Sequence, residues 1–402
     1  MGMRIALISL HTSPAAVPGS GDAGGMNVVV AAAAAALARA GHEVTAFTRA
    51  TAELPAGTRE LEAGVRLTAL PVGDPELRKE LLPRLVPEFA TQLAAHGPFD
   101  AVHAHYWLSG LAALPLAQRS GITPAVTFHT VAAQKNARLA PGDRPEPALR
   151  LAGERALTRS AQLIACSRSE LSGITEGYGE PGRPAAIIHP GVDTELFRPA
   201  PGAAGPLRIT VLGRVQPLKG QDLAVQAALA LARRNPELWA RSELVIAGEP
   251  TPGAEAYAAE LRALATRGGI ADRVRFLPAQ DRAASARLLA ESSVVVVPSH
   301  SESFGLVSLE AAASGVPAVV AAHTGLLEAS PPTAELRVAG RDPEVWADAI
   351  AGVLQDPARR ATLGREARSF ALAHNWDAHA QRLLEVYGTL GAGVSVTGLA
   401  PG

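Results

Sequence analysis

Residues 208–220 read RITVLGRVQPLKG, a short β-branched run closed by a glycine and followed by a helix start. The stretch before it, HPGVDTELFRPAPGAAGPL (189–207), carries proline and glycine at turn positions and interrupts a regular rhythm, so RITVLG is a restart rather than a continuation. Upstream, the same rhythm runs through RIALIS (4–9), the helical VVVAAAAAALARAG (28–41), EVTAFTR (43–49), DAVHAH (100–105), PAVTFHT (124–130) and QLIACS (162–167). Downstream it repeats through LVIAG (244–248), RVRFLP (273–278), VVVVPS (294–299) and PAVVAA (317–322). Apolar runs alternating with amphipathic stretches are the signature of βα units that feed parallel sheets. The expected architecture is α/β, with two Rossmann-like domains at residues 1–190 and 200–373 facing an interdomain cleft. After a crossing at ALAHN (371–375), a last helix over about 375–390 is expected to pack back on the first lobe.

Composition narrows the function. At 402 residues the chain is long enough for two domains. Lys plus Arg total 37 against 38 Asp plus Glu, a net charge of -1, so no global field draws the protein to nucleic acid or an anionic membrane, and phosphate recognition has to be local. An apolar share of 48% with 19% charged residues builds cores and excludes a disordered chain. The single cysteine, Cys166, makes no internal disulfide and no metal-ligand spacing, which suits a reducing cytoplasm. The apolar run in MGMRIALISLH is too short for a signal peptide or a membrane span.

Polar and glycine residues cluster where strands should end. The loop HTSPAAVPGSGDAGGMN (11–27) places Gly24 and Gly25 at a helix start, where backbone N–H groups can meet an anion. Gly19, Gly21 and Gly24 spell G-x-G-x-x-G, but too far after the strand for a dinucleotide turn, and HEVTAFTRA (42–50) ends its strand without a ribose-binding acid. That argues against an NAD-dependent oxidoreductase. His103, His105 and Tyr106 end one strand, and His129, Thr130 and Lys135 follow another. With no third ligand near the histidines and no D-x-D pair, they are expected to be packed and hydrogen-bonded; no catalytic metal or other cofactor is expected, and only a structural Mg is left open. Arg214 and Lys219 can converge on a diphosphate at a helix mouth, without the spacing of a P-loop. Glu302 and Glu310 lie eight residues apart, about 12 Å along a helix, so they can hold two separate hydroxyl-bearing rings of a nucleotide sugar.

GDAGGMN (21–27), HPGVD (189–193), GRVQPLKG (213–220) and ESFGLVSLE (302–310) together resemble the retaining glycosyltransferases of family 4, which have the two-lobed GT-B fold. HTSPAAVPGSGDAGGMNV, HAHYWLSG and HTVAAQKN are similar to the wording of that family's mycothiol-pathway branch, which moves N-acetylglucosamine from UDP to inositol phosphate. The resemblance implies an acceptor pocket of Asn27, Lys79, Tyr106, Thr130 and Arg150, with His11 and Gly25 between acceptor and donor. It also implies that Arg214 and Lys219 hold the donor diphosphate, Glu310 the ribose and Glu302 the transferred sugar. Gly24, Gly25, Gln280, Phe304, Gly305 and Leu306 would line the donor site, and His129 would orient donor hydroxyls. Catalysis would then rest on His129, Arg214, Lys219 and Glu302, with a nucleotide sugar and a small acceptor as partners and a homodimer as an open expectation. Departures gather on the donor side: HTGLLEASPPTAELRV (323–338) replaces a GGLP-type segment, with Thr324 at a glycine position, and Glu249 stands where the family has a small residue. A paralogue using a GDP-linked or other nucleotide sugar on a thiol or aminocyclitol, and a non-catalytic bilobal binding protein, remain as alternatives.

Overall fold

The computed structural model describes residues 2–18, 23–140, 142, 144–200 and 205–391. Gly19 and Gly21 lie outside the described residues. The first sheet holds β1 (Arg4–Ile8), β2 (Glu43–Arg49), β3 (Gly57–Glu62), β4 (Val65–Leu70), β5 (Ala101–His105), β6 (Ala125–Thr127), β7 (Gln162–Ala165) and β8 (Ala186–Ile187), in the order β3-β4-β2-β1-β5-β6-β7-β8. The second holds β9 (Leu207–Leu212), β10 (Ser242–Ala247), β11 (Val274–Leu277), β12 (Val294–Val297), β13 (Ala318–Ala321) and β14 (Arg337–Val338), in the order β11-β10-β9-β12-β13-β14. Every named pairing is parallel except β3 with β4. The parallel sheets are as expected, with one antiparallel strand added at an edge: GTRELE is charged and exposed along nearly all its length, so it borders the sheet instead of being buried between helices.

Strand order reverses at β1 in the first sheet and at β9 in the second. In each sheet the chain leaves the first strand toward one edge and later returns to its other side, which opens a crevice at the carboxyl ends. The segments after β1, β5, β6, β9 and β12 therefore collect on one rim of each lobe and face the cleft.

Helix Gly25–Arg39 packs Val30, Ala34 and Leu37 against Ile5 and Leu7 of β1. Its small residues allow a close approach, and the other face of that cluster is closed by Trp376, Leu383 and Tyr387 of the last helix, Trp376–Tyr387. Two strands of chain cross between the lobes, and they touch: the Val192 N–H donates to the His374 carbonyl at 2.8 Å, and Val192 bridges Asn375. Gly191 lies so close to the second crossing that a Cβ would stand 2.7 Å from the Asn375 carbonyl carbon and the Trp376 nitrogen. Replacing Gly191 by alanine forces these two segments apart, and the expected cost is about 1–3 kcal/mol, read as a lowered melting temperature with secondary structure unchanged by circular dichroism.

Candidate active site

The cleft between the lobes has a volume of about 430 Å³ and is lined from both sides. On the first lobe, Gly24 caps helix Gly25–Arg39 in an extended conformation. A Cβ on Gly24 would lie 3.6–3.8 Å from the Arg214 guanidinium of the second lobe, and one on Gly25 would lie 3.2 Å from Leu306. Leu306 opens helix Leu306–Ala313, so two helix N-termini, each with a positive end, meet across the gap beside Arg214.

Asn27 lines the cleft from the first turn of that first-lobe helix. Its Oδ1 accepts from the Gly24 N–H at 2.9 Å, while its Nδ2 donates to Thr12 Oγ1 at 2.9 Å and to the Ser13 carbonyl at 2.6 Å. Buried to 2% exposure, Asn27 holds the loop after β1 onto the helix start, with both amide hydrogens spent on that loop.

Beside it, His11 tilts over Tyr106 with ring centroids 4.2 Å apart. Burial lowers the His11 pKa well below the ordinary histidine value, and Lys79, Arg150, His129 and Arg214 lower it further. Its Nδ1 is buried with no partner. Cations of both lobes thus converge on one neutral imidazole. Lys79 approaches from the exposed rim helix Lys79–Leu85.

Arg150 lines the same part of the cleft. It stacks its guanidinium 4.6 Å from the Tyr106 ring centroid, yet every nitrogen is already engaged. Nε meets Glu154 at 2.6 Å, Nη1 meets Glu146 at 3.0 Å, and Nη2 donates to the Thr130 carbonyl at 2.7 Å and its Oγ1 at 2.8 Å. Burial opposes the charge, but Tyr106, Glu154 and Glu146 outweigh it and raise the pKa. Glu146 also holds Lys135 at 2.8 Å. Neither glutamate was singled out from the sequence, although EPALRLAGE (146–154) places both at i±4 from Arg150 on one helix face, a legible signal.

His129 lines the cleft too, with its Nε2 2.9 Å from His105 Nδ1 and its Nδ1 4.0 Å from Cys166 Sγ, so both ring nitrogens have protein partners. His103 is hydrogen-bonded to Tyr387 at 2.7 Å and Thr127 at 2.9 Å. Among the described residues no group of three potential metal ligands is assembled.

On the second lobe, Lys219 Nζ lies 2.7 Å from Glu302 Oε1, which also accepts from Ser299 Oγ at 2.8 Å. Glu310 is buried and paired with Arg282, a cation that the sequence reading passed over. The two carboxylates are thus separate, as their spacing requires, and each neutralises one cation. Gln280 faces the cleft but donates to its own neighbour, the Pro278 carbonyl, at 2.8 Å. Phe304 borders the cleft, is 3% exposed and stacks its ring on His189 at 5.4 Å.

Among the described residues, three other than glycine have positive φ: Tyr106 (77°), His129 (61°) and Thr324 (56°). The first two line the cleft, and Thr324 Oγ1 accepts the Glu302 N–H at 3.2 Å. Each such conformation costs about 1–3 kcal/mol and persists only where surrounding structure demands it.

Two measurements check this geometry. Glu154→Ala leaves the buried Arg150 with Glu146 as its remaining carboxylate and strands the Ala132 N–H and the Tyr178 hydroxyl, and should cost about 3–5 kcal/mol in denaturant unfolding. Burial pushes the pKa values of His103 and His129 down to about 3 and of His379 to about 4. Unfolded histidine protonates near about pH 6.5, so the stability these neutral rings contribute is complete above that pH. It should drain away as pH falls from there toward 4 and 3, read as a falling urea midpoint. A midpoint flat between pH 6.5 and 4 would contradict the buried, neutral assignment.

Comparison with known proteins agrees with this architecture. Residues 18–383 match the model of the family described as "Family 4 Glycosyltransferase in conflict systems". The chain is 39% identical to the D-inositol 3-phosphate glycosyltransferase of Salinispora arenicola, over 96% of this chain and 91% of that protein. It is 41% identical to the Kineococcus radiotolerans protein of the same name, over 96% and 94%. Among solved structures, the sucrose-phosphate synthase of Thermosynechococcus elongatus superposes with a TM-score of 0.85 at 29% identity, covering 96% of this chain and 98% of that one. Anabaena HepE, solved with UDP and glucose, shares the fold at a TM-score of 0.76 and 18% identity, with 96% and 100% covered. With the motifs, the two lobes and these relatives in agreement, the chain belongs to glycosyltransferase family 4 and has the GT-B fold.

Proposed function

We propose that this glycosyltransferase moves N-acetylglucosamine from UDP-N-acetylglucosamine to 1D-myo-inositol 3-phosphate with retention at the anomeric carbon, as a mycothiol-type pathway requires. The observation that carries this reading is the placement of Arg214 against Gly24 at the opposed helix starts, with Lys79 and Tyr106 beside His11 and Arg150 stacked behind on the Tyr106 ring. One side suits a diphosphate and the other a phosphate on a polyol. The names and near-40% identity of the curated relatives support the acceptor class.

In this mechanism the bond between the sugar C1 and the leaving phosphate oxygen breaks, a bond from C1 to the acceptor hydroxyl oxygen forms on the same face, and the hydroxyl proton passes to the leaving phosphate. No protein nucleophile is used. Arg214, Lys219 and the two helix ends stabilise the departing diphosphate, so Lys219 exchanges its Glu302 partner for phosphate oxygens as the donor enters. That exchange releases the Glu302 carboxylate to accept a sugar hydroxyl. Glu310, fixed by Arg282, is the ribose acceptor. Water exclusion follows from closure of the lobes around both substrates. Among the described residues no helix is long and apolar enough to cross a membrane.

A second reading, a different nucleotide sugar on another small acceptor, is favoured by Thr324 at a glycine position and by Gln280 turned onto its own backbone. Thermal shift separates the two: stabilisation by UDP over GDP supports the first, and the reverse order the second. A mass-resolved assay with folded protein, UDP-N-acetylglucosamine and inositol 3-phosphate should yield the glycosylated inositol phosphate; no product overturns the first reading. Arg214→Ala or Lys219→Ala should lower turnover by about 100-fold or more, and near-normal turnover in both would remove the diphosphate assignment.

A further inference from the structure

The segment that departs most from the family wording also joins the lobes. Residues Thr324–Leu327 form one 3-10 turn, and its two ends do different work. At the start, Thr324 Oγ1 accepts the Glu302 N–H at 3.2 Å and the Gly325 N–H donates to the Glu302 carbonyl at 3.0 Å, so the turn grips Glu302 on both sides of its peptide. Gly325 lies so close to the 303–304 backbone that a Cβ would stand 2.3 Å from the Ser303 oxygen and 2.5 Å from Phe304 Cα. Turn and loop are one rigid piece.

At the other end, Glu328 reaches across to the first lobe. Its Oε2 accepts the Arg168 N–H at 3.0 Å and lies 3.0 Å from His189 Nε2, and its Oε1 faces the Ser169 N–H at 3.4 Å. Arg168 and Ser169 open helix Arg168–Tyr178, whose first N–H groups have no partner within the helix. The cap residue Ser167 accepts the Glu170 N–H at 3.0 Å and donates to the Ser303 carbonyl at 2.6 Å, a second bond between the lobes. Ser303 Oγ returns a third, to the His129 carbonyl. A helix of one lobe is therefore capped by a carboxylate of the other, an arrangement that exists only when the lobes are together.

We infer that Glu328 is a positioning residue that couples lobe closure to the placement of Glu302. The inference rests on the glycosyltransferase reading of the cleft for its catalytic consequence, but not for its structural one. A carboxylate on two N–H groups at a helix N-terminus is a charge-assisted, dipole-favoured contact. On opening, both partners return to water, so the contact favours closure without making it permanent, as product release requires. Because Glu302 rides on the same rigid piece, seating Glu328 on the helix sets the Glu302 carboxylate against the first-lobe residues that hold the acceptor.

A double-mutant cycle on the full chain tests this. Glu328→Gln keeps the shape and removes the charge. Arg168→Pro removes the facing N–H at the first helical position, where proline is tolerated, and the preceding Ser167 is already extended (φ -158°, ψ 163°). Hydrogen exchange of ligand-free protein at residues 302–305 should quicken in each single variant, and small-angle scattering should show a more open molecule. In the double variant neither effect should exceed that of the stronger single one. In the transfer assay, kcat/KM for the acceptor should fall about tenfold or more, while affinity for free UDP, whose proposed contacts lie mostly on the second lobe, changes by less than about twofold. Additive effects in the double variant, or unchanged exchange and scattering in Glu328→Gln, would overturn the coupling. If the proposed reaction itself is wrong, the wild-type chain gives no turnover while the exchange and scattering differences persist.

Discussion

The Arg214 guanidinium resting against the glycine start of helix Gly25–Arg39 is the contact that gives the two lobes a common purpose. Like signs face each other there: a cation, a helix N-terminus on one lobe and another at Leu306 on the opposite lobe. A cation and two helix N-termini set together favour a bound anion. The glycine at the helix start lets the backbone N–H groups, rather than a side chain, form its first-lobe wall.

The rest of the cleft is arranged to tolerate that field. Lys219 is held by Glu302, Arg282 by Glu310, and Arg150 by Glu146 and Glu154, so cations sit beside carboxylates in geometries fixed before any substrate arrives. The pairs differ in kind. Lys219 and Glu302 are each partly exposed and can exchange partners with a ligand, whereas Arg150 and Glu154 are buried and will not separate cheaply. Arg150 therefore presents Tyr106 and the Thr130 side in a set position more than it reaches for a ligand itself. Backbone strain follows the same rim: Tyr106, His129 and Thr324 hold positive φ at segments that face the cleft or frame Glu302.

Thr324 shows how a departure in sequence can preserve a conformation. The residue keeps the left-handed backbone that a glycine would adopt freely, and its hydroxyl is used to hold the Glu302 N–H. What a glycine would leave open beside Glu302 is here a side chain, buried to 6% exposure.

Periodicity and short motifs are local, and the features that depend on them could be read from the chain itself. The βα rhythm specified two sheets, the Pro/Gly-rich stretch between them gave two lobes, and GRVQPLKG and ESFGLVSLE marked the second lobe's wall of the cleft. The antiparallel β3 edge was missed because one short charged run looks like a loop until a partner strand is known. Side-chain partners were legible only where spacing on one helix defined them, as in EPALRLAGE. Whether Asn27 faces a ligand or the loop behind it, whether His129 turns to the cleft or to His105, and whether Glu328 stays in solvent or caps a helix of the other lobe were all decided by tertiary structure. In each case the competing partners are brought together by strand ends and lobes far apart in the chain, and no local pattern encodes which one lies within hydrogen-bonding reach.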